Sequence, residues 1–284
     1  MIVTADDFGL ALEVNEAVET AHRNGILTAA SLMVGAPAAA DAVNRARLMP
    51  SLRVGLHIIL VDGRPVSPPA QVPDLVDKSG CFRNDMALAS VRIFVDPKKR
   101  RQVSIEIAAQ FEAFVATGLQ LDHVDCHKHW QLHPTIARLV LEIGRRYGMK
   151  ALRVPTEPLG VLRLIEERTS SPLSPVITAF AGLLRARVHR YRLCAPDRVF
   201  GLAWSGAMTE SRLSGLLTYL RDGITEIYCH PATSNSFEGA VPGYRYADEL
   251  AALIAPGIIA TAATEGIRLI GYSDLAANND AISA

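Results

Sequence analysis

Four short polar motifs, each closing a hydrophobic run, could do chemistry in this chain. They are Ile2-Val3-Thr4-Ala5-Asp6-Asp7-Phe8-Gly9, Val54-Gly55-Leu56-His57, His123-Val124-Asp125-Cys126-His127-Lys128-His129 and Ile227-Tyr228-Cys229-His230-Pro231. Carboxylates and imidazoles brought together from separate strands can hold a divalent ion with an acid and a base beside it. That is the equipment of a metal-dependent hydrolase.

Each motif also has a plainer explanation. Adjacent side chains diverge along a strand, so of Asp6 and Asp7 one can hold a metal while the other reaches a substrate water. Capping of a helix beginning near Leu10 would account for one Asp but not for two. A lone His57 in an apolar strand is more often a satisfied core residue, and only the company of the other motifs makes it a ligand candidate. Strand alternation puts His123, Asp125, His127 and His129 on one side, so not all can bind one ion. Asp125 is suited to orient an imidazole. A polar loop before Pro134 is the bland alternative for the cluster. His230 stands at a strand end, placed to donate a proton to a leaving amine. Cys126 and Cys229 have the opposite parity and read as buried thiols. Arg153, closing Ala151-Leu152-Arg153, could hold the Asp6 carboxylate, meet a substrate oxygen or form a structural ion pair.

The elements that must position these residues alternate between apolar runs and amphipathic stretches. Strands are expected near Ile2–Ala5, Leu27–Val34, Arg53–Leu60, Leu121–Cys126, Ala151–Val154, Val199–Ala203, Glu226–Cys229 and Ile267–Tyr272. Helical faces are read from Ile107, Phe111, Phe114 and Val115, from Ile136, Leu139, Val140 and Ile143, and from Leu213, Leu216, Leu217 and Leu220. Repeated βα units predict an α/β fold, a distorted TIM-like (β/α) barrel with the site at the C-terminal strand ends. One domain over 1–284 is expected, with two interruptions. Residues 61–100 carry Pro65, Pro68, Pro69 and Pro73 and read as a long loop. Residues 156–198 read as an insertion or cap. Within it the stretch from Thr169 to Leu184 has no charge, contains Pro172 and Pro175, and runs into Arg185, Arg187, Arg190 and Arg192.

Composition narrows the classes. A chain of 284 residues that is 49% hydrophobic can bury a substantial core. Its 29 basic and 29 acidic residues cancel, which argues against a nucleic-acid partner. Four scattered cysteines without a CxxC pair suggest reduced thiols in the cytoplasm. No signal peptide is read at the start, and no apolar run reaches the ~20 residues of a membrane span.

The four motifs resemble the YdjC-like family of carbohydrate deacetylases, from Ala5-Asp6-Asp7-Phe8-Gly9 to the closing Gly271-Tyr272-Ser273-Asp274. The resemblance implies Asp7, His57 and His127 as ligands of one divalent ion, Asp6 as general base and His230 as general acid. Asp125, His123, His129 and Arg153 would support them or touch substrate. The His123–His129 run, continued by Leu132-His133-Pro134, and Leu152-Arg153-Val154-Pro155-Thr156-Glu157 look most like the hopanoid-biosynthesis-associated branch (HpnK). That branch implies removal of the acetyl group from an N-acetylglucosaminyl lipid. Gln131 departs from it, since many relatives carry a further His there. Two imidazoles and one carboxylate suit Zn²⁺, Fe²⁺, Mn²⁺ or Co²⁺ better than Mg²⁺, whereas the family is often labelled magnesium-dependent, so Zn²⁺ and Mg²⁺ stand as the leading candidates. Residues 160–192 would then lie on an anionic membrane at its inner face, arginines on phosphates. The alternatives are a deacetylase of soluble chito-oligosaccharides, a metal-dependent phosphoesterase and a non-catalytic sugar-lipid binder.

Overall fold

Six parallel strands carry the motifs. They are β1 (Ile2–Phe8), β2 (Ala29–Leu32), β3 (Arg53–Ile58), β4 (Val124–Cys126), β5 (Arg198–Phe200) and β6 (Thr225–Cys229), in the order β4-β3-β2-β1-β6-β5. The structure, a computed structural model, describes residues 1–83, 85–170 and 175–275. Every residue of β1, β2 and β6 is buried, as expected of parallel strands covered on both faces. The crossovers include α1 (Leu12–Asn24), α2 (Ala39–Arg47), α3 (Met86–Val95), α4 (Pro97–Ala116), α5 (Pro134–Gly144), α6 (Leu159–Ile165), α7 (Pro175–Arg190) and α8 (Glu210–Thr218). After β6 come α9 (Tyr246–Ile254) and α10 (Pro256–Thr264). The expected face of α5 is buried, as are Leu213, Leu216 and Leu217 on α8, while Leu220 lies past the end of that helix and is only partly buried; on α4, Ile107, Phe111 and Phe114 are buried while Val115 points outward.

The sheet is curled, and one side chain proves it. Asp125 on β4 and Glu226 on β6 lie four strand steps apart, about 19 Å on a flat sheet. Yet the Arg153 guanidinium touches both, at 2.5 Å and 2.8 Å. Their side chains therefore converge inside a half-barrel.

Two expected strands are not formed, and with them the closed barrel. Ala151 and Leu152 make only isolated bridges, to Cys194 and Val124, before Pro155 removes a backbone donor. Residues 267–272 form no ladder; the Tyr272 and Ser273 amides turn to the Asp122 carboxylate at 3.2 Å and 2.8 Å. Residues 61–100 are not all loop. The Asp96 side chain caps α4 by accepting from the Lys98 amide at 2.8 Å, and the basic run Lys98–Arg101 is the first turn of that helix. The true loop is pinned by buried polar residues of α4. Gln110 bonds both backbone groups of Ile59, and Glu106 accepts from Val66 and Ser67. Residues 156–198 hold α6 and α7; α7 buries Ala181, Leu184 and Val188, and Pro172 lies outside the described residues. Among the described residues no single helix is long and apolar enough to cross a membrane.

Asp122 ties the C-terminal turn to the start of β4. Burial pushes its carboxyl up, but the His123 imidazole at 2.9 Å and Ser273 outweigh this and hold it below the ordinary 3.8. A carboxyl lowered on folding stabilises above its unfolded pKa and loses that contribution as pH falls through it. Asp122→Asn should therefore cost about 1–3 kcal/mol at pH 7. Urea unfolding should show the gap to wild type narrowing below about pH 4.

Candidate active site

The site begins with an irregularity in β1. Ala5 pairs with Ala30 and Phe8 with Leu32, so three residue steps of β1 face two of β2. Asp7 takes up the excess in the left-handed region at φ 62°. Regular alternation would send Asp6 and Asp7 to opposite faces; the bulge turns both carboxylates toward one cavity. Such a conformation costs a non-glycine residue of order 1 kcal/mol or more and persists only where neighbours impose it. Here the Leu10 amide donates to the Asp7 carbonyl and the Met33 amide to that of Phe8.

Three ligand atoms meet in that cavity. Asp7 Oδ1 lies 3.3 Å from His57 Nε2 and 3.1 Å from His127 Nδ1, and the two nitrogens are 3.3 Å apart. Ligands about 2.0–2.2 Å from a common ion, at tetrahedral or octahedral angles, stand about 2.8–3.6 Å apart. Asp7 Oδ1 is buried and receives no aligned hydrogen bond from either ring. The three atoms thus cluster around one point, with only the two imidazole nitrogens in hydrogen-bond geometry with each other, and the donor set fits a divalent cation. Burial pushes the Asp7 carboxyl up, but His127 and His57 outweigh it and hold it well below 3.8.

The outer nitrogens of the two rings face carboxylates. His57 Nδ1 lies 3.0 Å from Asp125 Oδ1, which assigns the proton to Nδ1 and the lone pair to Nε2. His127 Nε2 faces Asp62 Oδ2 at 3.7 Å.

Asp6, His57 and Asp125 form a second cluster with ligand-like spacing. Arg153 already fills it. The fully buried guanidinium places Nη1 2.7 Å and Nη2 2.8 Å from the two Asp6 oxygens, and Nη1 2.5 Å from Asp125. Glu226 takes Nε and Nη2, and also accepts from Thr4 and from the Tyr272 hydroxyl. Arg153 is therefore the partner of Asp6, one of the three roles open from sequence, and a structural ion pair as well. Buried Asp6, Asp125 and Glu226 share this one guanidinium, and Asp7 is buried in the same site. With Asp7 counted, four carboxylates stand against one guanidinium, a formal excess of three negative charges that a divalent cation would reduce to one.

His129 and His230 line the same cavity with Tyr228 and Tyr244. His129 Nε2 is 2.9 Å from the Tyr228 hydroxyl, while its Nδ1 is buried and unpartnered. Desolvation and the nearby Arg153 push its pKa down to about 3, so the ring is neutral at physiological pH. His230 is 8% exposed, with Nδ1 likewise unpartnered, and its backbone amide donates to buried Glu249.

His123 lies apart from the cavity. Its ring bonds Asp122 and Ser31, stacks on Tyr272 at 4.5 Å, and fills the space a Cβ on Gly55 would need. The alternation assumed for residues 123–129 fails because β4 ends at Cys126, after which Lys128 and His129 turn left-handed at φ 51° and 56°. Gln131 is fully buried and does not line the cavity. Burial pushes the Cys126 and Cys229 thiols up, and neither reaches the cavity. Asp62, Glu226 and Tyr244 did not stand out in the sequence, and Tyr228 figured there only as a strand residue of the fourth motif. Only Glu226, an acid inside a buried strand, carried a sequence signal.

The sequence profile of YdjC-like proteins matches residues 1–263. The chain belongs to the YdjC-like family. A protein of Geobacillus stearothermophilus named carbohydrate deacetylase is 33% identical over 277 residues, 96% of either chain. Another of that name from Vibrio vulnificus is 31% identical over 278 residues, 97% of this chain and 96% of that one. A solved structure from Enterococcus faecalis, described as a cellobiose-phosphate cleavage protein, superposes with a TM-score of 0.76. It covers 96% of this chain and 97% of its own at 24% identity, and shows the fold alone.

In this YdjC-like chain Arg153 compensates three carboxylates drawn from separate strands. Arg153→Met should leave those charges unpaired and cost about 3–5 kcal/mol. Chemical denaturation is the measurement; a loss below about 1 kcal/mol would make the guanidinium dispensable.

Proposed function

We propose that the chain is a metal-dependent carbohydrate N-deacetylase that removes the acetyl group from an N-acetylglucosaminyl lipid. The observation that carries the reaction class is the Asp7–His57–His127 triangle with Asp6 and His230 on the same cavity. Those three residues would hold one divalent ion, Zn²⁺ or Mg²⁺, which when bound acidifies a water and polarises the amide carbonyl. Asp6, its carboxylate fixed by both arms of Arg153, takes the proton of the water that attacks the amide carbon. His230 protonates the departing sugar amine as the C–N bond breaks, leaving acetate and a free amine. His129, held neutral, offers Nδ1 to the substrate and is a poor acid at neutral pH. A phosphoesterase with two metals is disfavoured because Arg153 occupies the second acidic cluster.

The lipid part rests on surface character near the cavity. On α7 Val176, Ile177 and Leu183 are exposed, and on α3 Val91, Phe94 and Val95 are exposed. Both helices abut the turn that follows β4. The Ser90 carbonyl lies 3.2 Å from His133 Nε2, and Arg187 donates to the Pro134 carbonyl at 2.9 Å. Of the four arginines, Arg185 and Arg187 are tied to backbone carbonyls of the fold. Arg190 and Arg192 stay exposed, free to face lipid phosphates at the inner leaflet.

Mass spectrometry of acetate release tests the reading, with N-acetylglucosaminyl hopanoid against chitobiose, with and without chelator. The lipid-linked sugar should be preferred and chelator should abolish release; faster turnover of chitobiose would move the substrate to soluble oligosaccharides. Asp6→Asn should retain metal and lose about 10²–10⁴-fold in rate, and His230→Ala should slow amine departure within the same range. Replacing Val176, Ile177 and Leu183 by Ser should release the chain from anionic liposomes on sedimentation. Unchanged sedimentation would remove the membrane contact from α7.

A further inference from the structure

We propose that Asp62 is a positioning residue that orients the ligand imidazole of His127. The inference rests on Asp7, His57 and His127 being the metal ligands, and adds a residue that none of the four sequence motifs contains. A neutral imidazole whose Nδ1 lone pair is committed to a cation carries its proton on Nε2, and that N–H needs an acceptor. For His127 the carboxylate nearest Nε2 is Asp62, 3.7 Å away, an ion-pair separation slightly longer than a hydrogen bond. His57 repeats the pattern with the ring reversed, Nε2 toward Asp7 and Nδ1 on Asp125 at 3.0 Å. Each ligand histidine thus stands between the shared carboxylate and one of its own.

The backbone around Asp62 is built to hold it there. Asp62 is left-handed at φ 52° although glycine follows it at position 63, and Lys128 opposite is left-handed at φ 51°. Two non-glycine residues in that region face each other from the loops after β3 and β4, joined by the Lys128 ammonium on the Asp62 carboxylate. The Asp62 loop is clamped from beneath by Gln110 on Ile59 and Glu106 on Val66 and Ser67. A half-exposed lysine–aspartate pair contributes little alone and does not account for strain on both partners. Orientation of a ligand imidazole accounts for it at Asp62, whose position the clamped loop fixes, while the Lys128 ammonium only screens the solvent side of the carboxylate.

The test is Zn²⁺ affinity of the full chain after metal stripping, read by competition with a chromogenic chelator. Wild type, Asp62→Asn, Asp62→Glu, Lys128→Met and Asp7→Asn are compared. Asp62→Asn should weaken Zn²⁺ about 10–100-fold, Asp62→Glu should recover most of that, and Lys128→Met should stay within about threefold. Thermal melts of the stripped proteins separate a binding loss from a folding loss, and Asp62→Glu preserves the charge if the amide variant melts early. Equal losses in Asp62→Asn and Lys128→Met would reduce Asp62 to a surface ion pair and overturn the proposal, as would an Asp62→Asn affinity within threefold of wild type. Failure of the underlying reading looks different: Asp7→Asn would then bind Zn²⁺ as tightly as wild type.

Discussion

The buried contact of Arg153 with Asp6, Asp125 and Glu226 is the constraint around which the half-barrel is arranged. A guanidinium cannot leave water for the inside of a sheet unless its donors are met, and the desolvation cost of its partners is equally large. Meeting them requires residues from β1, β4 and β6 to reach one point, which a flat sheet cannot allow. Curl, register and the closeness of distant motifs are therefore one condition. The Tyr272 hydroxyl and Thr4 complete the acceptor side on Glu226, so even the segment after α10 is drawn into the arrangement.

A single guanidinium leaves the carboxylates around it undercompensated, and this shapes the layer above. Asp7 is delivered by a bulge and a left-handed turn, and His57 and His127 come from the two neighbouring strand ends. Among the described residues five non-glycine positions are left-handed; four of them, Asp7, Asp62, Lys128 and His129, lie where the chain must depart from strand geometry to aim a side chain, and the fifth is Arg192 after α7. Strained backbone gathered at a strand bulge and two loops at one end of the sheet is the pattern of a preorganised site.

Much of this was legible in the sequence because polar residues interrupt apolar strands at places where a core would exclude them. Asp6, Asp7, His57, His127 and His230 all declared themselves that way. What remained hidden depends on geometry that a period of two cannot express. His123 looked equivalent to His127, but β4 stops at Cys126 and the two rings fall in different layers. Asp62 sits in a Gly- and Pro-containing loop where an aspartate is ordinary. The start of α4 carried a readable Asp-Pro cap at residues 96–97, masked by the four prolines that precede it. The barrel looked closed because eight apolar runs are present, yet Ala151–Val154 ends at a proline, and Asp122 draws the backbone after Ile270 away from any ladder.

The same guanidinium also divides labour between the two cavity histidines. His129 lies near Arg153, against Tyr228, whose ring sits 4.6 Å from the guanidinium. With a pKa of about 3 its imidazole stays neutral and serves as a hydrogen-bonding group, able to accept from or donate to a ligand but seldom charged. His230 is placed differently. Its backbone is clamped by Glu249 from α9, its ring lies 5.3 Å from that of Tyr244, and Asp7 is close enough to interact with it electrostatically. His230 stands beside Asp7, whereas His129 stands near Arg153. In the proposed deacetylation His129, held neutral, leaves proton donation to His230, and the reason is the charge that holds the sheet in its curl.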